Sequence, residues 1–172
     1  MNSQKKFGVF ILNNKRENVV AETEFFPSQE LCPDIPISTP LTFPFQNNQV
    51  MMVLDKNNWW NPLGGHIEKN ETWEEALIRE ALEEGGVDIA DNLIFGYIKV
   101  NRISGSKTYP SVTQIPMTQS VIKKYHHDWN KMETKDRRLF SIEEAIQVLS
   151  ERGDNQQMLQ IFSYMIKNKV NK

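Results

Sequence analysis

Short apolar runs alternating with polar residues fill the first third of the chain, and helical spacing takes over at three later places. Residues 7–12 (FGVFIL) and 19–26 (VVAETEFF) read as two strands around the turn-rich NNKREN. PSQELCPDIPISTP then carries four of the eight prolines and reads as an irregular crossing segment. Leu41–Phe45 and Gln49–Leu54 form a hairpin across Gln46-Asn47-Asn48, and WWNPL leads from Trp59 into the pair Gly64-Gly65. From Thr72 the apolar period changes from two residues to 3.6. Thr72 and Glu75 stand three apart, the spacing of a capping box, and Gly85-Gly86 ends the helix with a left-handed conformation. On this helix Leu77, Ile78, Ala81 and Leu82 are expected to face a core. Glu80, Glu83 and Glu84, at i, i+3 and i+4, share another face, with small Ala76 one turn before Glu80. Leu93–Ile103 and Thr108–Thr118 read as antiparallel strands joined by Ser104-Gly105-Ser106. Ser141 and Glu144 make a second capping box, opening a helix to about Ser150. A last helix, Asn155 to about Val170, carries Met158, Ile161, Phe162, Met165 and Ile166 at helical spacing, a stripe suited to core packing or a dimer face. Strands on both sides of the first helix, and two helices at the end, give an α+β class.

The chain has 172 residues, enough for one domain with a real core. A net charge of −2 supplies no global basic field to draw in nucleic acid or a membrane. The local imbalance says more: Glu68 to Glu84 holds seven acids against only Lys69 and Arg79. Such a stretch meets a polyphosphate only with cations in between. The single cysteine, Cys32, excludes an internal disulfide and suits a reducing compartment. The first apolar run is too short for a signal sequence, so a cytoplasmic location is expected.

Carboxylates at helical spacing sit about 5–6 Å apart and repel unless solvent or a cation intervenes. Three glutamates alone describe a solvated acidic face. Here they belong to a longer pattern: Gly65, five residues, Glu71, seven residues, Arg79-Glu80, two residues, Glu83-Glu84, one residue, Gly86, with apolar Ala81 and Val87. That is the Nudix box at every fixed position, and the chain resembles the Nudix hydrolases. One departure stands just before the box, where Leu63 occupies the place of the proline common in the family and Pro62 precedes it.

The resemblance implies an α/β/α sandwich with a mixed sheet over residues 39–172. Residues 1–38 fall outside it, as an extension serving as an edge hairpin, a dimer contact or a cover for the substrate. It implies Mg²⁺ or Mn²⁺ held by Glu80, Glu83, Glu84 and the Gly64 carbonyl, with Arg79 orienting the glutamates. Hard oxygen donors without Cys or His suit those ions. The general base is left between Glu80 and Glu133, with Asp136 third; Glu133 to Ser141 looks like the family's late strand, which brings a further acid towards the site. Trp59 or Phe45 could stack on a base and Arg102 could meet phosphate, whereas Trp60 is expected to pack beneath the loop and the His126-His127 pair to lie on the surface. The box supplies phosphorus chemistry on a small-molecule nucleotide. Without coenzyme A or NADH markers, a nucleoside triphosphate or its oxidised form is the default. ADP-ribose, a nucleotide sugar, or a catalytically silent nucleotide sensor are the alternatives.

Overall fold

In the computed structural model, which describes residues 7–14, 19–105, 110–129, 134–153 and 156–168, the alternating segments build one eight-stranded sheet. Its strands are β1 (Phe10–Asn14), β2 (Val19–Pro27), β3 (Leu41–Gln46), β4 (Gln49–Leu54), β5 (Trp60–Asn61), β6 (Val87–Ser104), β7 (Val112–Tyr125) and β8 (Asp136–Phe140). The helices are α1 (Trp73–Gly85), α2 (Ile142–Glu151) and α3 (Gln156–Lys167). The order across the sheet is β1-β2-β6-β7-β3-β4-β5, with β8 also on β4. β3 runs parallel to β7 and the other strand pairs are antiparallel, so the sheet is mixed.

Period-two patterning sorts the residues of β4 onto two cores. Val50 and Met52 join Phe25, Phe43, Phe45 and Ile98 beneath Ala145 and Leu149 of α2 and Ile161, Phe162 and Met165 of α3. Met51 and Val53 join Leu63, Val87 and Ile122 beneath Leu77 and Ala81 of α1. Helices therefore cover both faces, and the stripe on α3 is core packing. The β3–β4 turn places Asn47 (φ 48°) and Asn48 (φ 63°) in the left-handed region, where asparagine is among the tolerated residues. Trp60 packs edge-on against Phe140 at 4.8 Å and borders the core under α2 and α3. Phe45 is a core residue, 8% exposed, and its burial removes it as a platform for a base.

Three expectations need correction. Ile78 and Leu82 are about half exposed, because the buried arc of α1 runs through Ala76, Leu77, Glu80, Ala81 and Gly85. β6 begins at Val87, directly after the helix, and continues for 18 residues through register shifts around Asp91, whose φ of 54° lets the chain bend without ending the strand. β7 starts later than expected and runs on to Tyr125.

The first hairpin adds two strands to this same sheet, through β2 on β6 from Val20 to Pro27, and buries Val19, Ala21 and Phe25. Buried Gln114 of β7 ties down the crossing segment: its amide donates to the carbonyls of Cys32 (2.6 Å) and Ile35 and accepts from the Cys32 N–H (3.0 Å). Among the described residues no helix is long and apolar enough to cross a membrane.

Candidate active site on the first helix

The site is assembled from a bridge, two caps and an arginine. Leu63 exchanges backbone hydrogen bonds with Thr42, donating to its carbonyl at 3.0 Å and accepting from its N–H at 2.8 Å. Proline at 63 has no N–H to give, so the departure from the family wording lets the loop be sewn to β3. Gly64 then turns at φ 140°, a conformation open to glycine, and a Cβ there would lie 2.1 Å from the Pro40 carbonyl. At the helix start the Thr72 hydroxyl accepts from the Glu75 N–H while the Glu75 carboxylate accepts from the Thr72 N–H, the expected reciprocal cap. At its end Gly86 adopts φ 56°. Gly85 lets the helix close onto Leu63, whose Cδ2 lies 2.3 Å from where a Cβ would stand.

Arg79 gathers the acids. Its Nε and Nη2 donate to the two oxygens of Glu71 at 2.9 and 3.1 Å, the paired geometry that makes arginine–carboxylate contacts strong. Nη1 donates to Glu80 at 2.9 Å and to Glu83 at 3.0 Å, and Nη2 also reaches the His66 carbonyl at 2.9 Å. Hydrogen bonding by Arg79, with help from the Glu68 N–H, holds the Glu71 carboxyl below the ordinary carboxylate range. The same bond with Glu71 is the largest effect holding the Arg79 guanidinium above its usual range. Glu71 is thus the anchor of the arginine, a role that spacing alone leaves open.

Glu80 is nearly buried, and Gly65 makes that burial fit, since a Cβ on residue 65 would lie 2.2 Å from its Oε1. Glu84 accepts the Gly64 N–H at 3.0 Å, so the glycine loop and the end of α1 meet directly. Among the described residues no three His, Cys, Asp or Glu stand close enough to hold a metal by themselves. The charge at the centre is the Arg79 guanidinium. The donor type fits a hard cation: Glu80, Glu83 and Glu84 offer only carboxylate oxygen, beside a backbone loop.

Glu133 lies outside the described residues. Asp136 begins β8, opposite Leu54. Trp59 closes a turn with Asp55 and lies 5.7 Å beneath the Arg152 guanidinium, while Arg102 donates to the Pro110 carbonyl near the far end of β6. None of those contacts reaches the glutamates. Beside Glu83, instead, a cleft of about 790 Å³ opens, lined by residues including Leu82, Lys124, Tyr125, His127 and Trp129. His126 pairs with Asp88 at 2.9 Å and His127 is exposed, in keeping with a surface loop. Sequence spacing missed Trp129, Thr134 and Arg137, whose side chains all bond to the carbonyl end of α1. They come from later segments, and no fixed interval links them to the helix.

Similarity to known proteins agrees with this geometry. No curated protein matches the chain in sequence. Among solved structures, a Nudix hydrolase from Nitrosomonas europaea is 18% identical, with a TM-score of 0.60 over 77% of this chain and 90% of that one. The Bacillus subtilis pyrophosphohydrolase BsRppH, in a mutant form, is 20% identical, with a TM-score of 0.56 over 76% and 77% of the two chains. A Nudix-family hydrolase from Clostridium perfringens is 20% identical, at 0.51 over 75% and 95%. At these identities the likeness is one of fold. The family model for the Nudix domain matches residues 39–162, most of the chain, and with the box arginine and glutamates assembled around one loop the protein belongs to the Nudix hydrolases, a family of pyrophosphohydrolases.

Proposed function

We propose that this protein hydrolyses a nucleoside triphosphate, or its oxidised form, between the α and β phosphorus atoms, releasing a monophosphate and pyrophosphate. The observation that carries the reading is the Arg79 guanidinium bonded at once to Glu71, Glu80 and Glu83. This presents acids on a braced scaffold next to an open cleft.

Nudix hydrolases generally need divalent cations. In this reading Glu80, Glu83, Glu84 and the Gly64 carbonyl would hold Mg²⁺ or Mn²⁺, an ion that would neutralise phosphate charge and make water a better nucleophile. The chain's own groups do the rest. Arg79 fixes the rotamers of Glu80 and Glu83, so less ordering remains to be done when the substrate arrives. Its Nη1 holds Oε1 of the buried Glu80 at 2.9 Å, and in this reading Glu80 accepts the proton of the attacking water. Glu133 is the other acid in line for that task. The water oxygen forms a bond to phosphorus as the bridging P–O bond breaks, and the pyrophosphate leaves with the electron pair. The cleft beside Glu83 takes the nucleoside, with His127 and Trp129 as its aromatic walls. Residues 1–38 extend the catalytic unit of residues 39–172 without supplying its chemistry.

Product analysis with purified protein and Mg²⁺ tests this, running triphosphates beside ADP-ribose, dinucleoside polyphosphates and nucleotide sugars. Monophosphate and pyrophosphate from a triphosphate is the expected result. Orthophosphate instead of pyrophosphate, or a clear preference for ADP-ribose, overturns the substrate assignment, and binding without any product identifies a sensor.

A further inference from the structure

A helix leaves its last carbonyls without intrahelical partners and concentrates about half a negative charge there. In α1 that end carries Glu83 and Glu84, and its last turn contains no basic residue. The missing cation comes from β8. Arg137 donates through Nη1 to the carbonyls of Gly85 and Gly86 (2.9 Å to the latter), and through Nη2 to that of His126. Two neighbours complete the set: Trp129 Nε1 donates to the Glu83 carbonyl at 2.8 Å, and the Thr134 hydroxyl to the Glu84 carbonyl at 2.9 Å. Each carbonyl from Glu83 to Gly86 therefore receives a side-chain donor from outside the helix.

The arginine is itself tightly enclosed. Its guanidinium lies over the Tyr125 ring at 3.9 Å and over the Trp129 ring at 4.7 Å. Gly86 yields the room, because a Cβ there would stand 2.1 Å from Nη1 and 2.7 Å from the Trp129 Cβ. This glycine thus serves the helix cap and the arginine together. A flat, forked cation held between two rings fixes both the axial position and the rotation of the helix end, which a flexible ammonium would not.

We propose that Arg137 is a positioning residue for Glu83 and Glu84, acting through the carbonyl end of α1 and locking the 126–129 loop against it. The inference rests on the reading in which those glutamates hold a divalent cation. Ligating oxygens must sit within about 0.5 Å of their working positions, so a helix end free to fray or rotate binds the ion less well. The charge of Arg137 acts in the opposite sense: removing a nearby cation by itself would tighten binding of another.

The test titrates Mn²⁺ into the full-length protein and follows free Mn²⁺ by electron paramagnetic resonance, at a temperature where circular dichroism shows each variant folded. Arg137→Lys keeps the charge and loses the fork. It is expected to weaken Mn²⁺ binding by about tenfold or more, as is Arg137→Gln, the range typical of groups that orient ligands. A folded Arg137→Lys that binds within about twofold of the unaltered protein overturns the proposal, since the charge alone would then suffice. Should neither variant fold, Trp129→Phe carries the test, because it removes the donor to the Glu83 carbonyl and trims the ring beneath the guanidinium while leaving Arg137 itself in place; weaker binding supports the proposal and unchanged binding overturns it. Glu84→Gln separates the two levels. If it binds Mn²⁺ normally, the ligand assignment has failed; if it binds weakly while Arg137→Lys binds normally, the positioning role alone has failed.

Discussion

Replacing Gly65 with alanine should separate activity from stability. Gly65 is not among the residues with positive φ, so alanine fits the backbone without strain. Its Cβ would stand 2.2 Å from Oε1 of Glu80, 2.4 Å from Cδ and 2.8 Å from Oε2, whereas ordinary contact begins near 3.4 Å. The carboxylate must therefore withdraw by at least about 1 Å, and a misplacement of that size costs about 10²-fold in rate. Withdrawal also strains the 2.9 Å bond from Arg79. A charge-assisted hydrogen bond contributes about 1.5–3 kcal/mol, while Gly→Ala restricts the unfolded chain and returns about 0.4–1 kcal/mol. A net loss of about 1–2 kcal/mol lowers Tm by only a few degrees in a chain of this size. Steady-state pyrophosphate release and scanning calorimetry measure the two effects. Gly153→Ala serves as the control, since nothing lies within 4 Å of the added carbon. A Gly65→Ala protein that keeps kcat within about threefold would refute the claim that the cradle around Glu80 matters to the chemistry.

Glu71 supplies a pH test. Because Arg79 depresses its carboxyl in the folded state, its stabilising contribution is present above the ordinary value of 4.5 and is lost as pH falls through the lower folded value. Glu71→Gln should accordingly be less stable at neutral pH and lose less on acidification below 4.5, as read by urea unfolding at several pH values; parallel curves for the two proteins would exclude the pairing. A chain starting at Ser38 loses β1 and β2, and with them Val19 and Phe25, each worth about 1.5–3 kcal/mol. Against a total stability of about 5–15 kcal/mol, thermal unfolding should come far earlier, with hydrolysis surviving only where the shortened chain stays folded. An unchanged Tm would show that the hairpin adds nothing to the core.

What the sequence disclosed well is local. Both capping boxes, the stop at Gly86, the β3–β4 turn and the clustering of Glu80, Glu83 and Glu84 depend on residues a few positions apart, and intervals that short are fixed by helix and turn geometry. The mixed sheet and the helices on both of its faces came through the box and the family it points to. The N-terminal hairpin was visible as a hairpin. Which strand it would join at the sheet edge was not, because that depends on β6 being long enough to offer an edge from Gly96 to Ser104.

The orientation of α1 is an expectation the structure corrects in part, with Leu77 and Ala81 buried but Ile78 and Leu82 not, and the site explains why. At 100° per residue, the most apolar arc of the helix is centred between Leu77 and Leu82, and burial by hydrophobicity alone would turn that arc inward. The observed buried arc is rotated by roughly a quarter turn, through Ala76, Leu77, Glu80, Ala81 and Gly85. Its members beside Leu77 are small residues and one carboxylate. Small residues let α1 settle close to the sheet, with Gly85 against Leu63 and Gly65 against Glu80. Two half-exposed aliphatic side chains, Ile78 and Leu82, are the consequence. Fully burying such a side chain is worth about 1.5–3 kcal/mol, and Leu82, 46% exposed, forgoes about half of that at the wall of the cleft beside Glu83. That cost is intelligible where the chemistry requires Glu80 to be held inward by Arg79, since a helix turned to bury Ile78 and Leu82 would carry Glu80 away from Gly65 and Glu84 away from the Gly64 N–H.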